Sequence, residues 1–295
     1  MPLDPSILGG AAFLAGSGAL LYAGAVAGVV REALRPERRT IAWALARGTP
    51  SEPAAWGLES REWTHRSEGA ECPVFDLGAD DPDAPTAIIL HGFARSRYDA
   101  LARVGPVLPH VRRLLLPDLP GHGDAGGRAT RLGSGEERFV ASLAETTRGP
   151  LLLVGHSLGA TLAIRAAADP ALAPRVRGVL ALAPYERLRT PLGARLELRG
   201  MPKGALLAPT LGALAALGVR EHATSAAARA IRAPLAVVAG GVDPVVPLAE
   251  PESIARAAPN GRLFTVPSGR HDDFHTLGRD AVSDALAWID ATPRD

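Results

Sequence analysis

Gly155-His156-Ser157-Leu158-Gly159 is the stretch best suited to covalent chemistry. It directly follows the apolar LLLV and directly precedes the helix-like ATLAIRAAADP, so Ser157 falls on a sharp strand-to-helix turn. Such a turn strains the serine and pushes its hydroxyl outward, and the flanking glycines leave room for close packing. The following helix aims free N–H groups and the positive end of its dipole at the same place, favouring developing negative charge. In a chain with 32 glycines, G-x-S-x-G alone is a weak sign, and a serine in a glycine-rich turn is often only a cap. The strand before it and the helix after it are what strengthen the reading.

A serine needs a base to take its proton, and the base needs an acid to orient it. In the chain order Ser, Asp, His, the sequence supplies Asp243 after PLAVVAGGV and His271 after RLFTVPSGR. His271 would pass the Ser157 proton to the leaving group, while Asp243 fixes the imidazole tautomer and stabilises the imidazolium. Taken singly, His271 reads as a surface-loop histidine and Asp243 as a turn former before Pro244. Their order and their places after strands favour the pair. His275 is the fallback base, and Asp272 or Asp273 the fallback acid, because His-Asp-Asp-Phe-His is crowded.

An acyl-transfer oxyanion needs two donors, each commonly worth about 3 to 4 kcal/mol. The N–H of Leu158, next after the serine, is one. The N–H of Phe93, in His91-Gly92-Phe93 after TAIIL, is the other, unless His91-Gly92 is a plain strand-ending turn. His122 with Asp118, Asp124 and His156 offers metal-ligand chemistry without a recognisable ligand spacing, so neither metal nor cofactor is expected.

These groups need a scaffold. Short apolar runs (PVFDLG, TAIILHG, RRLLLPD, LLLVGHS, VRGVLALAP, PLAVVAGGVD, RLFTVPS) alternate with helix-length stretches rich in Ala, Leu and Arg. That rhythm predicts an α/β fold with a mostly parallel central sheet flanked by helices. In such sheets functional groups gather beyond the carboxyl ends of the strands, where Phe93, Ser157, Asp243 and His271 all fall. The rhythm breaks over about residues 186–230, where a small helical cap is expected. There Leu207, Leu211, Leu214 and Leu217 recur at helical spacing, a stripe that either covers an apolar pocket or packs in the core.

Residues 7–30, ILGGAAFLAGSGALLYAGAVAGVV, carry no charge and suffice as a helix to cross about 30 Å of hydrocarbon. A transmembrane helix is expected. A cleaved signal peptide has Ala25-Val26-Ala27 in its favour but no basic residue ahead of the apolar run, and a buried helix of this kind has no polar face for water. Arg31, Arg35, Arg38 and Arg39 follow the run while only the acidic Asp4 precedes it, which places the remaining chain in the cytoplasm. Export with a cleaved or uncleaved signal reverses that. The expected organisation is an anchor over residues 1–30, a juxtamembrane linker over 31–58 and one α/β domain over 59–295.

With 32 basic and 31 acidic residues, the formal charge of +1 offers no field for nucleic acid, which is not an expected partner. A single cysteine, Cys72, excludes an internal disulfide and reads as a small apolar strand residue.

Five ordered motifs make the chain resemble the α/β-hydrolase superfamily, above all its lidded, lipase- and esterase-like branch. They are His91-Gly92-Phe93, Pro117-Asp118-Leu119-Pro120-Gly121-His122-Gly123, the Ser157 pentapeptide, Gly241-Val242-Asp243-Pro244-Val245-Val246-Pro247 and Gly269-Arg270-His271-Asp272-Asp273. The likeness covers about residues 61–289. It implies the α/β-hydrolase fold and a serine hydrolase that cleaves carboxylic esters through an acyl-enzyme intermediate. In similar proteins the Asp-x-x-Gly-His-Gly loop is structural, which leaves Asp118 and His122 outside catalysis. Ser157 stands where haloalkane dehalogenases and epoxide hydrolases carry an acidic nucleophile, a departure that argues for acyl chemistry. An apolar cap and a membrane tether together point to a hydrophobic or lipid ester. The alternatives are a thioesterase, amidase or C–C hydrolase on the same fold, or a catalytically inactive scaffold.

Overall fold

Runs such as TAIIL and LLLV lack polar alternation because both of their faces are covered. A computed structural model describes residues 5–293 except 68 and 128, with side chains from residue 16 onward. Residues 1–4 of the expected anchor therefore lie outside the described residues. The chain opens with α1 (Pro5–Leu34) and α2 (Ile41–Ala46), then forms β1 (Ser60–Ser67), β2 (Ala70–Gly78) and β3 (Thr86–Leu90). The short α3 (Arg97–Leu101) and α4 (Val104–Val107) lead to β4 (Arg113–Pro117), α5 (Glu137–Ala144), β5 (Leu151–His156), α6 (Leu158–Ala167) and β6 (Val176–Leu182). The cap helices α7 (Arg189–Leu198), α8 (Lys203–Ala216) and α9 (Thr224–Ala228) come next. They are followed by β7 (Leu235–Gly240), α10 (Ala249–Ala257), β8 (Gly261–Val266) and α11 (Arg279–Ala291).

The eight strands form one sheet in the order β1-β2-β4-β3-β5-β6-β7-β8. β2 runs antiparallel to both β1 and β4, and the other pairs are parallel. In β3, Ile88 and Leu90 enter one core with α5, α6 and α10, while Ala87 and Ile89 enter the other with α3, α4 and α11. β5 repeats the division, Leu151 and Leu153 on one side and Leu152 and Val154 on the other. Two-sided burial of this kind is what a parallel sheet imposes. All the expected strands form, and β1 is an addition. SREWTHRS has a single buried residue, His65, so it lies at the sheet edge and offers no apolar run. The His65 ring meets Phe139 of α5 edge-on at 5.5 Å.

A third core joins the last turns of α1 to the cap: Val29, Val30 and Ala33 pack with Leu192 and Leu196 of α7 and Leu206 and Leu214 of α8. Pro209 inside α8 has no N–H, so the carbonyl of Ala205 four residues back loses its helical donor. The Tyr22 hydroxyl of α1 donates to that carbonyl at 2.7 Å. Glu32 of α1 pairs with Arg199 at the end of α7, and the Leu34 carbonyl accepts the Thr130 N–H at 3.0 Å. Upstream, Leu20 and Leu21 are each 77% exposed. The leucine stripe of α8 behaves as packing: Leu214 is buried against α1, Leu217 is exposed, and the pocket wall comes from α7. α8 packs against both α1 and α7, so its apolar side is taken up by those two helices.

Candidate active site

Ser157 sits between β5 and α6 with φ 52° and ψ −112°, the positive φ that L residues avoid. Its neighbours enforce the strain. The Ser157 N–H donates to Leu182 O at 2.8 Å, and the Ser157 carbonyl accepts the N–H groups of Ala160 and Thr161 at 3.0 and 3.1 Å. A Cβ at Gly155 would lie 2.2 Å from the carbonyl oxygen of Gly159, and one at Gly159 would lie 2.3 Å from that of Leu90. The two flanking glycines are therefore required by the approach of α6 to the sheet.

Asp243 follows β7 and His271 follows β8, and the structure brings them together. One carboxylate oxygen of Asp243, Oδ1, accepts the N–H groups of Val245 and Val246 at 2.7 and 3.0 Å. The other, Oδ2, lies 2.7 Å from His271 Nδ1. With Nδ1–H given to the carboxylate, Nε2 is the ring nitrogen left for other work. His271 and Ser157 line the same cavity of about 440 Å³. The His271 carbonyl accepts the Nε2–H of His156 at 2.7 Å. Burial, with Arg103 nearby, holds the His156 pKa well below its ordinary value, so that ring is neutral and uses its proton to fix the His271 loop. The fallback residues are otherwise engaged: Asp272 pairs with Arg95, Asp273 accepts the Arg270 N–H at 2.9 Å, and His275 lies outside the cavity lining.

Phe93 and Leu158 also line the cavity, and neither backbone N–H meets an acceptor among the described residues. The Phe93 loop is held from beneath by His91, whose Nδ1–H donates to Gly92 O at 2.8 Å while Nε2 accepts the Leu119 N–H at 2.9 Å. Burial pushes its pKa down to about 3, which keeps that tautomer neutral. His122, likewise lowered to about 3 by burial, stands edge-on to the Phe93 ring at 5.6 Å. Asp118 accepts the backbone N–H groups of Arg97 and Asp124 at 2.7 and 2.8 Å and pairs with the Arg97 guanidinium. Asp118 and His122 thus build the wall behind the Phe93 loop.

The rest of the lining is largely apolar, with Leu132, Leu188, Leu192 and Met201 among its members. Two contributions escaped the sequence reading. Val29, Glu32 and Ala33 of α1 form part of the wall, and Arg195 of α7 faces the same space.

Strand order, a strained serine after β5 and an Asp–His pair after β7 and β8 together define an α/β-hydrolase architecture. The alpha/beta hydrolase family model matches residues 87–285, and the chain belongs to that family. Among curated proteins it is similar to the magnesium-chelatase 30 kDa subunit of Rhodobacter capsulatus. The two are 30% identical over 131 residues, 43% of this chain and 44% of that protein, so the chain spans less than half the length of this relative. An esterase of Pyrococcus furiosus is a similar solved structure, with TM-score 0.68 at 19% identity over 87% of this chain and 96% of that one. Est1E of Butyrivibrio proteoclasticus, solved with ferulic acid bound, superposes with TM-score 0.60 at 18% identity over 78% of this chain and all (100%) of that one. A membrane phospholipase A superposes with TM-score 0.61 at 18% identity, covering 98% of this chain and 100% of that one. At these identities the likeness is one of fold.

Proposed function

We propose that this protein is a membrane-anchored serine hydrolase that cleaves hydrophobic carboxylic esters through an acyl-enzyme. The observation that carries this reading is the 2.7 Å contact of His271 Nδ1 with a carboxylate whose other oxygen is fixed by two backbone N–H groups, beside a strained serine in one cavity. Ser157 attacks the ester carbonyl while His271 Nε2 takes its proton, and Asp243 holds the ring and stabilises its charged form. The N–H groups of Phe93 and Leu158 receive the oxyanion, each worth about 3 to 4 kcal/mol of transition-state stabilisation. His271 then protonates the departing alcohol, and a water molecule activated by the same ring releases the acid.

The apolar cavity lining and the membrane helix support a hydrophobic or lipid ester. So does the likeness to a membrane phospholipase A over nearly the whole chain, α1 included. By length and composition Gly16–Leu34 suffices to cross a membrane, but its last turns pack on the cap, so the bilayer in this proposal surrounds the part of α1 before Tyr22. The experiment is fluorophosphonate labelling of the detergent-solubilised protein with the adduct located by mass spectrometry, beside a panel of p-nitrophenyl esters of rising acyl length. Labelling at Ser157, lost in Ser157→Ala and much reduced in His271→Ala, is expected, with turnover of medium or long acyl chains. A folded protein that does not label, or that cleaves only the shortest esters, overturns the catalytic or the lipid part respectively. Separately, a chain lacking residues 1–21, which keeps the turns of α1 that pack on the cap, is expected to leave the membrane fraction.

A further inference from the structure

The cavity that holds Ser157 and His271 is apolar over much of its wall, yet four guanidinium groups and three carboxylates also border it. Most of these charges are accounted for. Arg95 pairs with Asp272, and with Asp99 at 3.5 Å. Arg199 pairs with Glu32 of α1. Arg270, by contrast, is exposed to water. Arg195 is left over. Its Nη1 is buried without a hydrogen-bond partner, and the side chain makes no ion pair with any described residue. Its guanidinium carbon lies 4.2 Å from the centre of the Phe93 ring, which places the group over a residue that also lines the cavity.

Burying a guanidinium beside other guanidinium groups is unfavourable, and burial together with Arg199 lowers the Arg195 pKa to about 10. The group stays charged at neutral pH. Glu32, the nearby acid that favours that charge, is already committed to Arg199. A half-buried cation whose Nη1 is buried and unpaired, lining the same pocket as Ser157, is arranged to receive an anion from whatever fills the pocket. The planar five-donor fork suits carboxylate and phosphate oxygens in particular.

We infer that Arg195 is a specificity-determining residue for substrates whose ester group is accompanied by an oxyanion, a carboxylate or phosphate carried on the acyl or the alcohol part. The inference rests on the proposed ester hydrolysis and names its substrate class. Charge selects, and the apolar wall accommodates the remainder. Nothing in the chemical step changes: the anion docks on the guanidinium while the scissile carbonyl meets Ser157. A substrate lacking the anion leaves the Arg195 donors unpaired, which is the arrangement that discriminates most strongly.

The test compares matched esters in the wild type, Arg195→Gln and Arg195→Lys. The acyl-side pair is p-nitrophenyl valerate against mono-p-nitrophenyl glutarate, and the alcohol-side pair is a monoacylglycerol against the corresponding lysophosphatidate. The wild type is expected to favour one anionic member by about tenfold or more in kcat/KM, the responsive pair telling which part carries the charge. Arg195→Gln should lose that preference, and Arg195→Lys, which keeps a charge without the fork, should recover part of it. Calorimetric binding of glutarate and of glycerol 3-phosphate to Ser157→Ala, with and without Arg195→Gln, reads the same subsite without turnover. Hydrolysis of the neutral esters and labelling of Ser157 test the underlying activity, so the two failures are distinguishable. Equal kcat/KM for both members of both pairs, unchanged by Arg195→Gln and with no anion binding that depends on Arg195, overturns the inference.

Discussion

Replacing Asp243 by Asn tests the proposed triad at the point where the geometry is most restrictive. The Asn side chain is nearly the same shape, and Oδ1 of Asp243 already accepts two N–H groups, from Val245 and Val246. An amide at this position must keep its oxygen there, because turning its NH2 toward two donors leaves both unpaired at about 1 to 3 kcal/mol each. The NH2 then replaces Oδ2 and faces His271 Nδ1 at the observed 2.7 Å. Nδ1 must become an acceptor, which moves the ring proton to Nε2 and removes the lone pair that would take the serine proton. The expected cost is about 10⁴-fold in kcat, as for the same change in serine proteases, or about 5.4 kcal/mol of barrier. The assay is p-nitrophenyl butyrate hydrolysis, with circular dichroism and urea denaturation showing that the variant folds. A folded Asp243→Asn protein within tenfold of wild-type kcat would refute the reasoning, since the ring would then be oriented by something else.

Gly159→Ala places a Cβ 2.3 Å from Leu90 O and must push α6 off the sheet; a loss of about 3 kcal/mol in urea denaturation is expected, together with loss of Ser157 labelling. His91 and His122 both titrate near 3, far below an unfolded histidine at about 6.5, so the unfolded chain binds more protons between those values. Their contribution to stability is complete above about pH 6.5 and falls on acidification toward 3, at up to about 1.4 kcal/mol per pH unit for each ring. Urea midpoints at pH 7.5, 6 and 5 should fall less steeply in His122→Gln, and an unchanged slope would remove this pair as the source. Tyr22→Phe removes the donor that the Ala205 carbonyl gains in place of the missing Pro209 N–H and should cost up to about 1 kcal/mol, seen as faster hydrogen exchange at the α1–α8 contact; unaltered exchange there would mean that water replaces the hydroxyl.

Much of the scaffold was legible because a parallel sheet buried on both faces writes its strands as unbroken apolar runs. β1 was not, because an edge strand with one buried residue looks like a polar loop. The pairing of Asp243 with His271 agrees with chain order because each follows a strand whose end abuts the other's. What sequence order cannot convey is which of several helices reaches the pocket. The α8 leucines stood out by spacing, yet the wall came from α7 and its N-cap, where Leu188, Leu192 and Leu196 recur at the same helical spacing; periodicity marks both stripes and does not say which one faces the pocket. Arg195 in particular sits in LGARLELRG as an ordinary helical cation, and its isolation is visible only once Glu32, some hundred and sixty residues earlier, is found paired with Arg199.

The same contact changes what α1 is. An anchor that only tethers would leave the pocket indifferent to its position, but Val29 and Ala33 line the cavity and Tyr22, Glu32 and Leu34 bind the cap or its neighbours. From Tyr22 to Leu34 the helix runs about 20 Å along the protein, and the part of α1 before Tyr22 is about 26 Å long, close to the hydrocarbon thickness of a bilayer. On the proposed anchoring, one continuous helix carries both the membrane segment and part of the pocket wall. The distance between lipid and Ser157 would then be set by helix geometry. That arrangement suits the proposed substrate with an apolar chain and a charged group: the chain would lie along Val29 and Ala33, and the charge would meet Arg195 on the same cavity wall.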